Sequence, residues 1–105
     1  MQFIQLQAST QQPINSLTLQ IRERMASVCG GIDDMTRLGN KALVVRAEIY
    51  PEKLAELLEL LSELPIKLDA APPPKPSDTE AIITLQVTSY AGDTDAKVTI
   101  PKVPG

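Results

Sequence analysis

Residues 43–49 alternate. Leu43, Val45, Ala47 and Ile49 share one side, and Val44, Arg46 and Glu48 share the other. A period of two with one apolar side predicts a strand of a sheet that covers a core with that side. Pro51 breaks the alternation and suits the first position of a helix, where a missing N–H is harmless. Glu52 adds negative charge to that first turn, which the helix dipole favours. Leu54, Leu57, Leu58, Leu61 and Leu64 then recur at three- and four-residue spacing, giving one apolar stripe. Glu52, Glu56, Glu59 and Glu63 make a second stripe on the opposite side, and Pro65 closes the helix.

The same patterns extend along the chain. Ile4, Leu6 and Ala8 alternate with Phe3, Gln5 and Gln7, which predicts a first strand over residues 2–9 with a polar outer side. Residues 10–15 form a loop holding Pro13. Residues 16–29 satisfy two templates: Leu17, Leu19 and Ile21 alternate, whereas Leu17, Ile21, Met25 and Val28 form a helical stripe. Helix is favoured, because Asn15 or Ser16 makes a good N-cap, the run is long for a strand, and Gly30-Gly31 suits a left-handed C-cap. A strand over residues 31–39, a turn at Gly39-Asn40-Lys41, and a short strand at Ile66-Lys67-Leu68 complete the pattern. The order is β-α-β-β-α-β. This is the ferredoxin-like order, an α+β fold with an antiparallel sheet and both helices on one face, covering residues 1–69.

Residues 70–79 hold four prolines in five positions and predict an extended polyproline linker. Residues 80–105 predict a C-terminal β-hairpin. Ile83, Leu85 and Val87 alternate in one arm, Ala96, Val98 and Ile100 in the other, and residues 91–94 form the turn. A lone hairpin is marginal in water, so it is expected to dock on the same domain or on a partner subunit. An alternative arrangement pairs this hairpin with the first strand and makes part of 16–29 a strand.

Composition narrows the function classes. A chain of 105 residues is one domain with one modest core. Aromatic residues make up only 3%, so the core is expected to be aliphatic. The net charge is −3; residues 1–50 carry five Lys/Arg against four Asp/Glu, and residues 51–105 carry five against nine. The absence of a clustered basic face argues against nucleic acid. The RNA-reading version of this fold order needs aromatics on the middle strands, where this chain offers Gln5, Gln7, Val44, Arg46 and Glu48. No run approaches the ~20 apolar residues of a membrane span, and the first ten residues lack a basic segment followed by an apolar run. With one cysteine no internal disulfide can form. These features lead to the expectation of a soluble, cytoplasmic protein.

Candidate chemistry is sparse. Cys29 beside Gly30-Gly31 is the one thiol, and with no histidine in the chain a Cys–His pair is excluded. The expected role is a small buried residue at a helix end. Asp33-Asp34 and Asp93-Thr94-Asp95 lack the ladder of oxygens of a calcium loop, and zinc lacks its ligands. No catalytic, metal or cofactor residue is assigned. In element order the chain resembles the ligand-sensing ACT domains, and Gly30-Gly31-Ile32-Asp33 is similar to the Gly-x-Asn-Ile those domains carry after the first helix. Their glycine-bearing turn before that helix is replaced here by Gln11-Gln12-Pro13-Ile14-Asn15. The resemblance implies a small-molecule site near Asn15, Ser16, Cys29, Gly30 and Gly31. The leading expectation is different: a non-catalytic protein-interaction or assembly module, forming a homo-oligomer or binding a protein partner, with the Glu52/Glu56/Glu59/Glu63 stripe as a second candidate surface.

Overall fold

The structure is a computed structural model that describes residues 2–71 and 73–91. In chain order it comprises β1 (Phe3–Thr10), α1 (Ile14–Val28), β2 (Gly31–Leu38), β3 (Ala42–Ile49), a 3₁₀ turn (Pro51–Lys53), α2 (Leu54–Ser62), β4 (Lys67–Leu68) and β5 (Ala81–Ser89). The fold class is α+β: five strands form one mixed sheet in the order β2-β3-β5-β1-β4.

The expectation of an antiparallel sheet is corrected by β5. This strand lies between β1 and β3, parallel to β1 over eight paired positions and antiparallel to β3 over eight. The remaining pairs, β1 with β4 and β2 with β3, are antiparallel. The direction of β5 follows from the path of the chain. β4 runs down alongside the end of β1, and the Asp69 amide donates to the Gln7 carbonyl at 2.8 Å. The proline-rich segment continues to the start of β1, where the Gln2 side chain exchanges two hydrogen bonds with the backbone of Lys75, at 2.9 and 3.0 Å. From there the chain can only re-enter the sheet travelling upward, as β1 does. The second arm of the expected hairpin, with Ala96, Val98 and Ile100, lies outside the described residues.

One side of the sheet builds the core. Ile4, Leu6 and Ala8 of β1, Leu43, Val45, Ala47 and Ile49 of β3, and Ala81, Ile83, Leu85 and Val87 of β5 are buried there. Against them pack Ile14, Leu17, Ile21 and Met25 of α1 and Leu54, Leu57 and Leu61 of α2, with Leu64 just beyond it. The helical reading of 16–29 therefore holds, although the helix begins earlier. Pro13 occupies the N-cap, and the Ser16 hydroxyl donates back to the Pro13 carbonyl at 2.8 Å, so neither Asn15 nor Ser16 caps it. The left-handed cap expected at Gly30-Gly31 is likewise corrected: the C-cap is Cys29 with φ −83°, and Gly39 is the one described glycine with positive φ, at 58°. Gly39 sits in the predicted β2–β3 turn, where the Lys41 amide donates to the Leu38 carbonyl at 3.1 Å. Leu58 is half-buried at the border of the stripe, whose other members Leu54, Leu57, Leu61 and Leu64 are buried.

Among the described residues two polar side chains are buried, and both are satisfied. The Thr10 hydroxyl donates to the Pro65 carbonyl at 2.8 Å, and the Ser89 hydroxyl donates to the Gln12 carbonyl at 2.7 Å. They tie the upper ends of β1 and β5 to the loops on either side. Among the described residues no helix is long and apolar enough to cross a membrane.

Candidate interaction face

Both helices cover the same side of the sheet, so among the described residues no helix or strand covers the other side, the open face. Cross-strand register arranges the residues of that side in rows running from β2 to β1. Thr36, Val44, Gln86 and Gln7 form one row, and Asp34, Arg46, Thr84 and Gln5 form the next. Glu48, Ile82 and Phe3 follow below. Above, Leu38, Ala42, Thr88 and Ser9 lie in line, and Tyr90 follows β5 directly. The surface is rich in amides and hydroxyls, with apolar groups at both ends. Beside Tyr90, residues Gln7, Ser9, Asp69, Gln86 and Thr88 border a shallow hollow of about 180 Å³.

The aromatic residues stand out on this surface. All three in the chain are exposed: Phe3 at 69%, Tyr90 at 47% and Tyr50 at 43% of their full areas. The core is wholly aliphatic apart from Met25. At 69% exposure Phe3 keeps most of its side chain in water, where complete burial would be favourable by up to roughly 1.5–3 kcal/mol. Aromatics are the residue type most enriched at protein–protein contacts.

Charge on the face is uneven. At the lower end Asp33, Glu48 and Glu80 crowd together. Glu48 has its carboxyl pushed above the ordinary range, first by a hydrogen bond shared with Asp33, then by the Asp33 charge, with Glu80 adding to both effects. Asp33 reaches this position through a bulge: the register of β2 on β3 shifts between Ile32 and Asp34, which leaves Asp33 as the additional residue. Arg46 is exposed two positions from Glu48 on the same face, and among the described residues it joins no ion pair.

The residues assigned to a small-molecule site do not converge. Asn15 and Ser16 lie at the start of α1, and Cys29, Gly30 and Gly31 lie beyond its end. Fifteen helical residues at about 1.5 Å each put roughly 20 Å between the two groups. Asn15 serves the fold instead: its Oδ1 accepts from Arg37 at 2.6 Å, and its amide donates to Asn40 Oδ1 at 3.3 Å. Gly30 donates its amide to the Glu48 carbonyl at 2.7 Å and leaves the space that the Glu80 carboxylate fills. The half-buried Cys29 thiol is pushed up to about 11 by burial and by the Glu80 charge, the reverse of what a nucleophile requires.

The acidic stripe of α2 is exposed and partly paired. Glu63 accepts from Arg24 of α1 at 2.7 Å, and Glu56 lies 3.9 Å from Lys53. Glu52 stands in the 3₁₀ turn and Glu59 on the outer side of α2. Among the described residues no group of three or more acidic or thiol side chains is placed to hold a metal ion.

The open face itself was half legible in the sequence. Gln5, Gln7, Val44, Arg46 and Glu48 follow from the alternation of β1 and β3. Ile82, Thr84, Gln86, Thr88 and Tyr90 follow from the same alternation in β5, once that strand is known to lie inside the sheet. Scans against protein-family models, curated proteins and solved structures find no match for this chain.

Proposed function

We propose that the chain is a non-catalytic protein-interaction or assembly module that uses the open face of its sheet as the contact surface. The single observation that carries this reading is the placement of the aromatics: Phe3 and Tyr90 project from the sheet side away from the helices, at opposite ends of a surface of amides and hydroxyls. A sheet side used only for solvation is served by polar residues alone, and this one carries the exposed ring of Phe3. A cytoplasmic setting suits the free Cys29 thiol, which needs no oxidising compartment.

Site-specific photo-crosslinking in cells tests the reading. A photoreactive residue at Gln86, on the open face, is expected to trap a protein. The same residue at Gln20, on the outer side of α1, is expected to trap none. Equal trapping at both positions, or none at Gln86, would refute the assignment.

A further inference from the structure

The two edges of the sheet are built differently. At one edge β4 is two residues long, and Pro73, Pro74 and Pro76, which have no N–H to offer, follow it. At the other edge β2 runs for eight residues without a proline, and six of them are exposed. The hydrogen bonds around β2 fix which of its main-chain groups are free. The Gly30 amide donates to the Glu48 carbonyl and the Lys41 amide to the Leu38 carbonyl, so Glu48 and Leu38 turn their main chains toward the opposite strand. In an antiparallel ladder alternate residues do so. Asp34, Thr36 and Leu38 therefore bond to β3, while Met35 and Arg37 turn their N–H and C=O groups outward, where among the described residues no strand meets them. The bulge at Asp33 ends this regular stretch below, and the turn at Gly39 ends it above, so Thr36 is its centre.

The stretch is complementary to itself. A two-fold axis at Thr36, perpendicular to the sheet, sets Thr36 opposite Thr36, Met35 opposite Arg37 and Asp34 opposite Leu38, each pair on one side of the sheet. Met35 and Arg37 of two copies then exchange four main-chain hydrogen bonds, and the central threonines form a favourable cross-strand pair. Arg37 keeps its side-chain bond to Asn15, since its main chain alone is used. Charge agrees with this direction. Around the lower end of β2 lie Asp33, Asp34, Glu48 and Glu80 against Arg22 and Arg46. Around the upper end lie Arg37 and Lys41 and, among the described residues, no acidic side chain. Antiparallel pairing sets the acidic end of each copy beside the basic end of the other. A centre one residue higher would oppose Arg37 to Arg37, and one residue lower would run the pairing into the bulge. Independently of the open face, we infer that β2 is the edge through which this chain pairs with a second copy of itself, antiparallel about Thr36. The helices of both copies stay on one side of the joined sheet, and the two open faces form one surface on the other. A contact of about 17 Å of strand is smaller than a permanent interface, so the pair forms with rising concentration and weakens with salt.

Disulfide trapping at ~1 mM protein in a glutathione buffer, with sedimentation of the unaltered chain, tests the pairing and its register. In a Cys29→Ser background, Thr36→Cys puts one thiol at the axis. Opposed residues there bond to their own β3, so their Cα atoms lie about 4.5 Å apart, within disulfide reach. Gln86→Cys, exposed on the open face, is the reference. The expected result is a mass rising toward that of two chains, with Thr36→Cys trapped at least tenfold faster than Gln86→Cys and more slowly as salt is added. Asp34→Cys and Leu38→Cys are expected to cross-link when mixed, and neither alone. Faster trapping at Gln86→Cys would place the self-contact on the open face, overturning this inference and leaving the interaction reading standing. Equally slow trapping at both positions with monomer mass would overturn the pair, while the cellular partner of the open face is decided separately by crosslinking at Gln86. Asp34→Cys trapped alone as fast as in the mixture would overturn the register about Thr36.

Discussion

Cutting the chain after Asp69 removes β5 and distinguishes a central strand from an appended hairpin. Ile83, Leu85 and Val87 are fully buried, and at about 1.5–3 kcal/mol each they supply roughly 5–9 kcal/mol of apolar burial. That sum is an upper estimate, since unfolded chains already bury part of this surface. A domain of this size is stable by only about 5–15 kcal/mol in total. The cut also removes the β5 neighbour of β1 and of β3 over eight positions each, and splits the sheet into the pairs β2-β3 and β1-β4. Residues 1–69 are therefore expected to lack a cooperative urea transition by circular dichroism, while the full chain shows one. Leu85→Ala tests the same point without truncation. It should lower stability by about 2–5 kcal/mol, and Gln86→Ala, one residue away on the open face, by no more than about 0.5 kcal/mol. A truncated chain that unfolds cooperatively with a midpoint near that of the full protein would refute the central placement of β5.

Other expectations follow from single residues. Glu48 holds its proton above the ordinary carboxyl range in the folded state, so between the unfolded value and the raised one the folded state binds more protons. Stability from this group is present at low pH and falls as pH rises through that window; Glu48→Gln should flatten the fall in a melting series from pH 4 to 8. With its pKa near 11, Cys29 has on the order of one thiolate in a thousand at pH 8, so iodoacetamide should modify it roughly a hundredfold more slowly than a free thiol; an equal rate would mean that the thiol is open. Gly39→Ala should lower stability by about 1–2 kcal/mol, since φ is 58° there. Gly30→Ala should be milder in a urea titration, because the added methyl meets the movable end of the Glu80 side chain.

Much of the fold was legible because alternation and helical stripes report directly on burial. Ile4, Leu6, Ala8, Leu43, Val45, Ala47 and Ile49 all face the core, and α1 and α2 lie where their stripes predict. What alternation leaves open is which strand lies beside which. The pattern Ile83-Leu85-Val87 fixes the buried side of β5 equally well at an edge or in the middle, so its insertion between β1 and β3 was hidden. The proline run before it suggested a spacer to a separate unit, whereas Ala71 packs on the core and Lys75 is held by Gln2. The glycines misled for a similar reason. Gly30 looks like a helix cap, yet it is small because Glu80, fifty residues away in the chain, occupies the space beside it. The separation of Asn15 from Gly31 follows from the length of α1 and could have been foreseen from that length alone.

The most direct measurement is a series of backbone amide NMR spectra of the full chain, kept dilute so that copies do not pair, with increasing amounts of cell extract. If the open face is the contact surface, the shifts that move should cluster on Phe3, Gln5, Val44, Arg46, Thr84 and Gln86, with the outer sides of α1 and α2 unchanged. Movement confined to the edge strand β2 or to the Glu52–Glu63 side of α2 would contradict the account and transfer the contact to that surface.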